Sequence, residues 1–205
     1  MNEFDDKARS WDEDPAKVER ARKVAEAIRA QVGALAGLSA LEYGCGTGLL
    51  GFALQPHLGR VTLADSSPGM LAVLEEKIAA SGLANLVPLQ LDLTVGPAPE
   101  ARYDLVCTLM TLHHIPDTDA ILEQFRGLLN PGGHLCISDL DQEDGSFHGA
   151  GVEVHKGFDR EDLAARLARG GFGNIRFSSP FEIQRTSEKG ALECFPAFLV
   201  VAVRI

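Results

Sequence analysis

Hydrophobic and polar positions follow two different periods along this chain. Short, nearly continuous apolar runs are typical of strands buried on both faces. Between them, apolar residues recur every three or four positions, as on a helix that faces a core. Up to residue 140 the pattern predicts strands at 40–43, 60–64, 86–91, 103–109 and 133–138, and helices at 15–32, 49–54, 68–80 and 117–128. Strands that alternate with helices favour right-handed βαβ units and a parallel sheet.

The last third of the chain has a different pattern. A polar loop rich in acidic residues and glycine occupies 139–151, and one more helix is predicted at 159–169. The strands predicted at 174–183 and 197–205 have no helix between them, which indicates an antiparallel pair that closes one edge of the sheet. A length of 205 residues without internal repeats favours one domain with one core.

A glycine-rich loop separates the first strand from the helix that follows it. The segment reads Glu42-Tyr43-Gly44-Cys45-Gly46-Thr47-Gly48. Glycines there allow a sharp turn and let a ligand approach the backbone, and the helix behind them offers free N–H groups. The spacing is GxGxG, because Leu49 stands where the dinucleotide fingerprint has its third glycine. Taken alone, the loop is explained equally well as a tight connection.

Two acidic residues at strand ends help to decide whether the glycine loop binds a ligand. Asp65 closes the second strand, at about the distance from the glycine loop where a carboxylate binds ribose hydroxyls. Asp92 closes the third strand, where a carboxylate can accept from an adenine amino group. The structural alternatives are an N-cap role for Asp65 and a turn-capping role for Asp92. Together with the glycine loop, the two acids favour ligand binding.

Five segments, in this order, resemble the class I S-adenosylmethionine-dependent methyltransferases: ALEYGCGTG, VTLADSSPGML, LQLDL, YDLVCTLMTLHHI and LLNPGGHLCISD. They run from about residue 38 to residue 140. The resemblance implies an α/β fold, a Rossmann-like three-layer α-β-α sandwich whose seven-stranded, mostly parallel sheet has an antiparallel last strand. It implies one methyltransferase domain over 1–205: an N-terminal helical cap (1–37), a cofactor-binding core (38–140), and an acceptor-side loop, helix and closing strands (141–205).

The same resemblance implies the cofactor S-adenosylmethionine, with S-adenosylhomocysteine as its product, and roles for individual residues. The implied cofactor contacts are Glu42, Gly44, Cys45, Gly46 and Gly48 around the methionine part, Asp65 at the ribose, Ser66 and Met70 beside the adenine, Asp92 and Leu93 at the adenine edge, and the carbonyl of Leu109 near the cofactor amine. Phe4, Lys7 and Trp11 would belong to a mobile N-terminal cap over the site. Tyr43 departs from the family, which usually has a small aliphatic residue there; its hydroxyl needs a partner if it is buried.

Histidines after the fourth strand are the candidate catalytic residues. His113 and His114 lie at its carboxyl end, where open α/β sheets bind their ligands. Either could be a general base or a substrate contact; the alternative is that one caps the next helix and the other fills the wall of the site. His148, and also His155, could face the acceptor from the late loop, and the alternative, which the sequence favours, is a surface position for each.

No metal site is predicted. The acidic stretch that starts at Asp139 has Asp144 and Ala150 where a calcium loop requires glycine and glutamate. The acceptor is expected to be a small molecule. The family members that methylate planar amides or nucleobases often carry Asn/Asp-Pro-Pro-Tyr after the fourth strand, and this chain has Met-Thr-Leu-His-His at 110–114.

Composition limits the partners. The formal net charge of −10 disfavours nucleic acid. No apolar run is long enough for a membrane span, and no signal-peptide pattern is visible, so we expect a cytoplasmic monomer or homodimer without a membrane partner. The four cysteines form no CxxC pair and are expected to be reduced.

Three other functions remain open from the sequence. A nicotinamide-dependent oxidoreductase would use the same fold and Asp65, but the glycine spacing is wrong. This chain also lacks the Tyr-x-x-x-Lys pair of short-chain oxidoreductases, because Thr47 follows Tyr43 by four residues and Cys107 follows Tyr103 by four. A non-catalytic S-adenosylmethionine-binding protein would share every cofactor motif. Thiol or arsenic chemistry would need cysteines that converge, which their positions do not indicate.

Overall fold

The computed structural model describes residues 3–148, 152–186, 190 and 192–205. Its strands are β1 (Ser39–Tyr43), β2 (Arg60–Asp65), β3 (Leu86–Gln90), β4 (Tyr103–Leu109), β5 (Leu129–Leu140), β6 (Phe172–Thr186) and β7 (Leu192–Arg204). Its α-helices are α1 (Glu3–Lys7), α2 (Pro15–Val32), α3 (Leu49–Leu54), α4 (Pro68–Ser81), α5 (Thr118–Leu128) and α6 (Arg160–Arg169). Short 3₁₀ turns cover Ala8–Glu13, Gln55–His57 and Leu112–His114.

The seven strands form one sheet in the order β3-β2-β1-β4-β5-β7-β6. All pairs among β1 to β5 are parallel, whereas β7 is antiparallel to both of its neighbours, β5 and β6. Helices flank the sheet on both faces, and this confirms the predicted Rossmann-like fold with its antiparallel last strand. The predicted closing pair, β6 and β7, lies at one edge.

Two hydrophobic clusters fill the space between the sheet and its helices. Helices α2, α3 and α4 pack on one face, where Ile28, Leu54 and Leu74 are buried. Helices α5 and α6 pack on the other face, where Phe125 and Leu167 are fully buried. Alternate residues of one strand serve opposite clusters, as the period of a strand requires. This arrangement leaves the carboxyl ends of β1, β2 and β4 at one rim of the sheet.

Side-chain caps define where the helices begin. The Asp14 carboxylate accepts from the N–H of Ala16, directly before Pro15 at the first position of α2. Ser67 caps α4 by accepting from the N–H of Met70. These residues supply acceptors for N–H groups that a helix cannot satisfy internally, and they explain why the predicted starts of α2 and α4 agree with the structure.

The structure extends the closing strands beyond their predicted limits. Strand β6 runs through Pro180, as the prediction of 174–183 also does, whereas β7 begins before Pro196 and the predicted strand starts only at residue 197. The register between β6 and β7 shifts between Ser178 and Phe181, and a proline is tolerated at such an irregularity on an edge strand. Among the described residues, no helix combines the length and the apolar content needed to cross a membrane.

Candidate functional site

A cavity of about 840 Å³ lies at the carboxyl ends of the central strands. The glycine loop after β1 and the ends of β2 and β4 form its floor, the N-terminal segment covers it, and α2 and β6 close the far side. Its lining includes every predicted site residue except two, Gly48 and Leu93. The predicted residues that it brings together are Phe4, Lys7, Trp11, Glu42, Gly44, Cys45, Gly46, Asp65, Ser66, Met70, Asp92, Leu109, His113, His114 and His148.

The glycine loop depends on two backbone positions that side chains would disturb. Gly44 has a φ of 69°, and a methyl group added there would lie 2.3 Å from Cγ2 of Thr111. Gly46 has a φ of 53°, and an added methyl would find nothing closer than the side chains of Met70 and Trp11 at 3.8 Å. Gly44 is therefore required by packing as well as by its backbone conformation, and Gly46 by its conformation on the open side of the loop.

Gly48 lies apart from the other glycines of the loop, and its predicted cofactor contact stays a prediction. It is the N-cap of α3 with a φ of 84°, and an added methyl would lie 2.7 Å from Cδ1 of Leu74. It does not line the cavity among the described residues. The absence of a side chain at Gly48 leaves room for the Leu74 side chain of α4.

Asp65 connects the end of β2 to the glycine loop. Its Oδ2 accepts from the N–H of Gly46 at 2.7 Å, and its Oδ1 accepts from the N–H of Ser67 at 2.9 Å. Burial raises the pKa of the carboxyl, and the backbone N–H donors oppose that rise. The alternative that Asp65 is an N-cap is wrong, because Ser67 caps α4. Each Asp65 oxygen keeps accepting capacity for a further hydroxyl donor.

Glu42 is a buried carboxyl at the end of β1. Its Oε2 has no hydrogen-bond partner among the described residues. It faces Gly51 of α3, where an added methyl would lie 2.8 Å from that oxygen. Burial raises the pKa of Glu42 to about 8. The negative charge of Asp65 adds to this rise, and a backbone hydrogen bond from Gly51 opposes it. A buried acceptor without a partner is costly, so this oxygen is ready for a donor from a ligand.

Tyr43 points into the sheet layer on the α5 side, which the sequence left undecided. Its ring packs edge-on against Phe125 with centroids 5.5 Å apart. Its hydroxyl accepts from the N–H of Leu93 at 3.1 Å. That N–H is therefore already bonded, and the Leu93 side chain is buried in the core.

Asp92 forms a turn of its own and also lines the cavity. Its Oδ1 accepts from the N–H and the hydroxyl of Thr94 at 2.9 and 2.6 Å. The turn-capping alternative is thus present in the structure. It does not compete with ligand binding, since Asp92 also faces the cavity.

The N-terminal segment is held over the cavity by two aspartates. Asp5 accepts from the hydroxyl of Ser67 at 2.6 Å and from the N–H of Gly69 at 3.0 Å. Asp12 accepts from Lys77 and from the hydroxyl of Thr47, both at 2.5 Å. These contacts join the segment to α4 and to the glycine loop, so the cap rests directly on the predicted cofactor residues.

His113 is held by a buried aspartate at the end of β5. Its Nδ1 lies 2.6 Å from Oδ1 of Asp139, and its backbone N–H donates to Oδ2 of the same carboxylate at 3.3 Å. The chain reaches this position through Met110, which has a φ of 55°, a strained conformation for a side-chain-bearing residue. An Nδ1–H donated to a carboxylate leaves Nε2 with its lone pair.

Three imidazoles gather in the cavity. Nitrogen atoms of His113, His114 and His148 all lie within 4.8 Å of one another, and Nε2 of His148 is buried without a partner among the described residues. Burial, with the charges of His113 and His148, lowers the pKa of His114 to about 4. Three neutral imidazoles could hold a metal ion, and the predicted absence of a metal stays a prediction. The Ala150 position of the rejected calcium loop lies outside the described residues.

Two other groups considered from the sequence lie apart from this cluster. The Nε2 of His155 is bonded to the carbonyl of Ile115 at 2.9 Å, a structural contact. Of the four cysteines, Cys45 alone lines the cavity. Burial raises the pKa of its thiol, which favours the unreactive protonated form.

Several cavity residues were missed from the sequence. Thr111 lies within hydrogen-bond distance of the carbonyls of Gly44 and Leu109, at 3.3 and 3.2 Å. Asp139, which the sequence pattern places in the polar loop, lies in β5 behind the cavity wall and is bonded to His113. Arg20 on α2 and Arg185 on β6 also line the cavity. The spacing that predicts α2 does place residue 20 beside buried Ala21, but no local pattern pairs it with residue 185.

Known proteins resemble this chain in sequence and in structure. Residues 41–135 match the family of methyltransferase domains. An uncharacterized methyltransferase of Schizosaccharomyces pombe is 31% identical over 143 residues, which cover 62% of this chain and 50% of that protein. A ubiquinone biosynthesis O-methyltransferase of Xanthomonas euvesicatoria is 31% identical over 149 residues, 73% of this chain and 60% of that protein. The chain therefore spans only half to three fifths of these two curated relatives.

A solved structure extends the likeness to the whole chain. Phosphoethanolamine N-methyltransferase 2 of Haemonchus contortus, in complex with S-adenosyl-L-methionine, superposes with a TM-score of 0.72 at 16% identity, over 100% of this chain and 60% of that one. At this identity the likeness concerns the fold. A nicotinamide-dependent oxidoreductase would share that fold, so it is the family match over 41–135, with the glycine spacing, that argues against this alternative. Residues 41–135 thus match a methyltransferase domain, and the matches together support a class I S-adenosylmethionine-dependent methyltransferase.

Proposed function

We propose that this protein transfers a methyl group from S-adenosylmethionine to a small-molecule acceptor, and that His113 acts as the general base where the acceptor must lose a proton. The observation that carries the proposal is His113, which lines the cavity that contains the glycine loop and whose Nδ1 lies 2.6 Å from Oδ1 of Asp139. When bound, S-adenosylmethionine supplies a methyl group already activated for transfer. The protein's own residues must therefore bind, orient and exclude water.

The cavity residues fit this cofactor. The partnerless Oε2 of Glu42 suits an ammonium donor, and Asp65 suits ribose hydroxyls because its oxygens keep accepting capacity. The open face of Gly46 lets a ligand approach the backbone. Asp92, Ser66 and Met70 would then lie beside the adenine, as proposed from the motifs.

His113 is better suited than His114 to take up a proton. Asp139 holds its ring in one orientation and stabilises the imidazolium that would form. The pKa of His114, lowered to about 4 by burial, makes it a weak base near neutral pH. We assign His114 to the wall of the acceptor space, where Phe4 packs edge-on at 5.3 Å.

A small acceptor is supported by the closed shape of the site. The N-terminal segment, α2 and β6 surround the space beside the glycine loop. The relative from Xanthomonas euvesicatoria is named for ubiquinone biosynthesis, which is consistent with a small-molecule acceptor here.

Two measurements test the proposal. Calorimetric titration with S-adenosylhomocysteine should show binding to the wild-type protein and a weaker affinity for Asp65→Asn. A screen of alcohols, phenols, amines, thiols and acids with methyl-labelled cofactor should then identify an acceptor. Binding without any transfer of label across the screen would favour a non-catalytic cofactor-binding protein. No binding would reject both functions.

A further inference from the structure

The charges around the cavity are separated into two halves. The acidic residues Glu42, Asp65 and Asp92 lie at the ends of β1, β2 and β3. Basic side chains from α2 and β6, including Arg20 and Arg185, line the opposite side. The chain as a whole has a net charge of −10, so a basic wall here runs against its average charge. Such a wall attracts a negatively charged group.

Arg20 is the most informative member of the basic wall. It is partly buried, and its guanidinium has no ion pair or hydrogen bond in the part of the chain that the structure describes. The guanidinium lies 5.4 Å from the ring centroid of Phe181. Burial lowers the pKa of Arg20. An arginine in this state carries donors that the protein itself leaves unsatisfied.

The acids nearest to Arg20 are committed to other groups. Asp14 caps α2 through the N–H of Ala16 and lies 3.9 Å from Lys17. Asp139 is bonded to His113. Lys17 itself lies 3.7 Å from the ring centroid of Trp11. Both acids are thus bonded to other groups, and in the described part of the chain neither forms an ion pair with the guanidinium.

Arg185 lines the same cavity as Arg20, and its side chain is held in place by Phe147. It donates to the carbonyl of Phe147, and its guanidinium lies 3.9 Å from the centroid of that ring. Phe181, Ile183 and Arg185 occupy alternate positions of β6, so they lie on one face of the strand. A guanidinium has five N–H donors, and the bond to Phe147 leaves most of them for a ligand.

We propose that Arg20 and Arg185 form an anion subsite that binds an acidic group of the methyl acceptor, a carboxylate or a phosphate monoester. The inference rests on the proposed function, because it places the acceptor between this subsite and the glycine loop. Guanidinium groups bind both anions through paired N–H donors. The acceptor is then a small organic acid whose nucleophilic atom lies at the other end, toward His113.

The test uses the full chain saturated with S-adenosylhomocysteine. Calorimetric titrations with benzoate and with neutral benzamide compare two ligands of nearly equal shape, and phenyl phosphate separates the two kinds of anion. We expect at least one of the two anions to bind at least about tenfold more tightly than benzamide, the effect of a charge-assisted hydrogen bond. The tighter of the two anions identifies the acidic group.

Arginine variants then assign the preference to the subsite. Arg20→Met and Arg185→Met should each weaken anion binding about tenfold, whereas Arg20→Lys should retain part of it. The matched control is Arg29→Met, which changes an exposed arginine of the same helix. Thermal melts check that each variant is folded, and exposed Arg185 is the safer of the two sites.

Two results would overturn the subsite. One is equal binding of both anions and benzamide by the wild-type protein. The other is a loss of S-adenosylhomocysteine affinity in Arg20→Met that matches its loss of anion affinity, because the guanidinium would then serve the cofactor's own carboxylate. Either result leaves the proposed methyltransferase function standing. That function fails separately, if the wild-type protein does not bind S-adenosylhomocysteine at all.

Discussion

The two halves of the cavity are built in different ways. The cofactor half comes from short continuous segments, residues 42–48 and 65–70, whose backbone turns directly after a parallel strand. The acceptor half comes from side chains far apart along the chain, on α2, after β4, in the loop that follows β5 and on β6. A motif can encode the first half because its geometry is local. The second half exists only when these four separate regions pack together.

The largest expected effect is a loss of kcat without a loss of cofactor affinity. His113→Ala should lower kcat about 10²- to 10⁴-fold with the acceptor found in the label-transfer screen, the usual contribution of a general base. Asp139→Asn should lower kcat in the same direction, because the amide no longer holds the imidazole in the required tautomer. The affinity for S-adenosylhomocysteine should stay unchanged in both variants. His57→Ala, outside the cavity, is the control, and an unchanged kcat in His113→Ala would remove the base from the mechanism.

A second prediction probes the close packing of the cofactor half. Gly44→Ala should destabilise the protein by about 2–4 kcal/mol, the sum of a left-handed backbone conformation and a steric overlap with Thr111. Gly82→Ala is the matched control, because Gly82 has a similar φ of 66° and nothing within 4 Å of the added methyl. Urea unfolding of the two variants isolates the cost of the overlap. Equal losses of stability would show that Thr111 moves away without cost.

The pH dependence of stability tests the buried carboxyl of the cofactor half. The pKa of Glu42 is raised to about 8 in the folded protein, above its ordinary value of 4.5. The folded state therefore holds a proton that the unfolded state releases, so the stability from this group is full below pH 4.5 and is lost as the pH rises toward 8. Glu42→Gln should reduce the decline in the free energy of unfolding between these limits by a few kcal/mol. Urea unfolding at several pH values measures the decline, and an identical slope in both proteins would contradict the buried pKa.

The smallest expected effect concerns the ribose contact. Asp65→Asn should weaken S-adenosylhomocysteine binding about tenfold, through loss of a charge-assisted hydrogen bond and a poorer brace for Gly46. Asp104→Asn is the control, because Asp104 also accepts from a backbone N–H, that of Ser39, but at the opposite end of the strands. Calorimetric titration compares the two. Equal affinities for both variants would place the sugar elsewhere.

Local patterns predicted most of the fold. The period of the apolar residues located α2 at its observed bounds, because Asp14 and Pro15 mark its start and glycine follows its end. The same approach shortened β6 and β7, because it ended the first at residue 183 and began the second at residue 197, and only their mutual pairing extends them to Thr186 and Leu192. The N-terminal residues gave no clear period. Their helical turns depend on contacts such as that of Asp5 with α4.

The sequence by itself determined the alternation of strands and helices, the glycine loop and the acid at the end of β2, because each depends on neighbouring residues and on backbone stereochemistry. Tertiary structure alone decided which donors and charges meet. Tyr43 found its partner at Leu93, His113 at Asp139, and Arg20 came to share a wall with Arg185. These pairs join residues between 26 and 165 positions apart, across separate strands and helices. The spacing of residues along the sequence does not predict such contacts, because the order of the strands in the sheet and the packing of the helices upon it determine them.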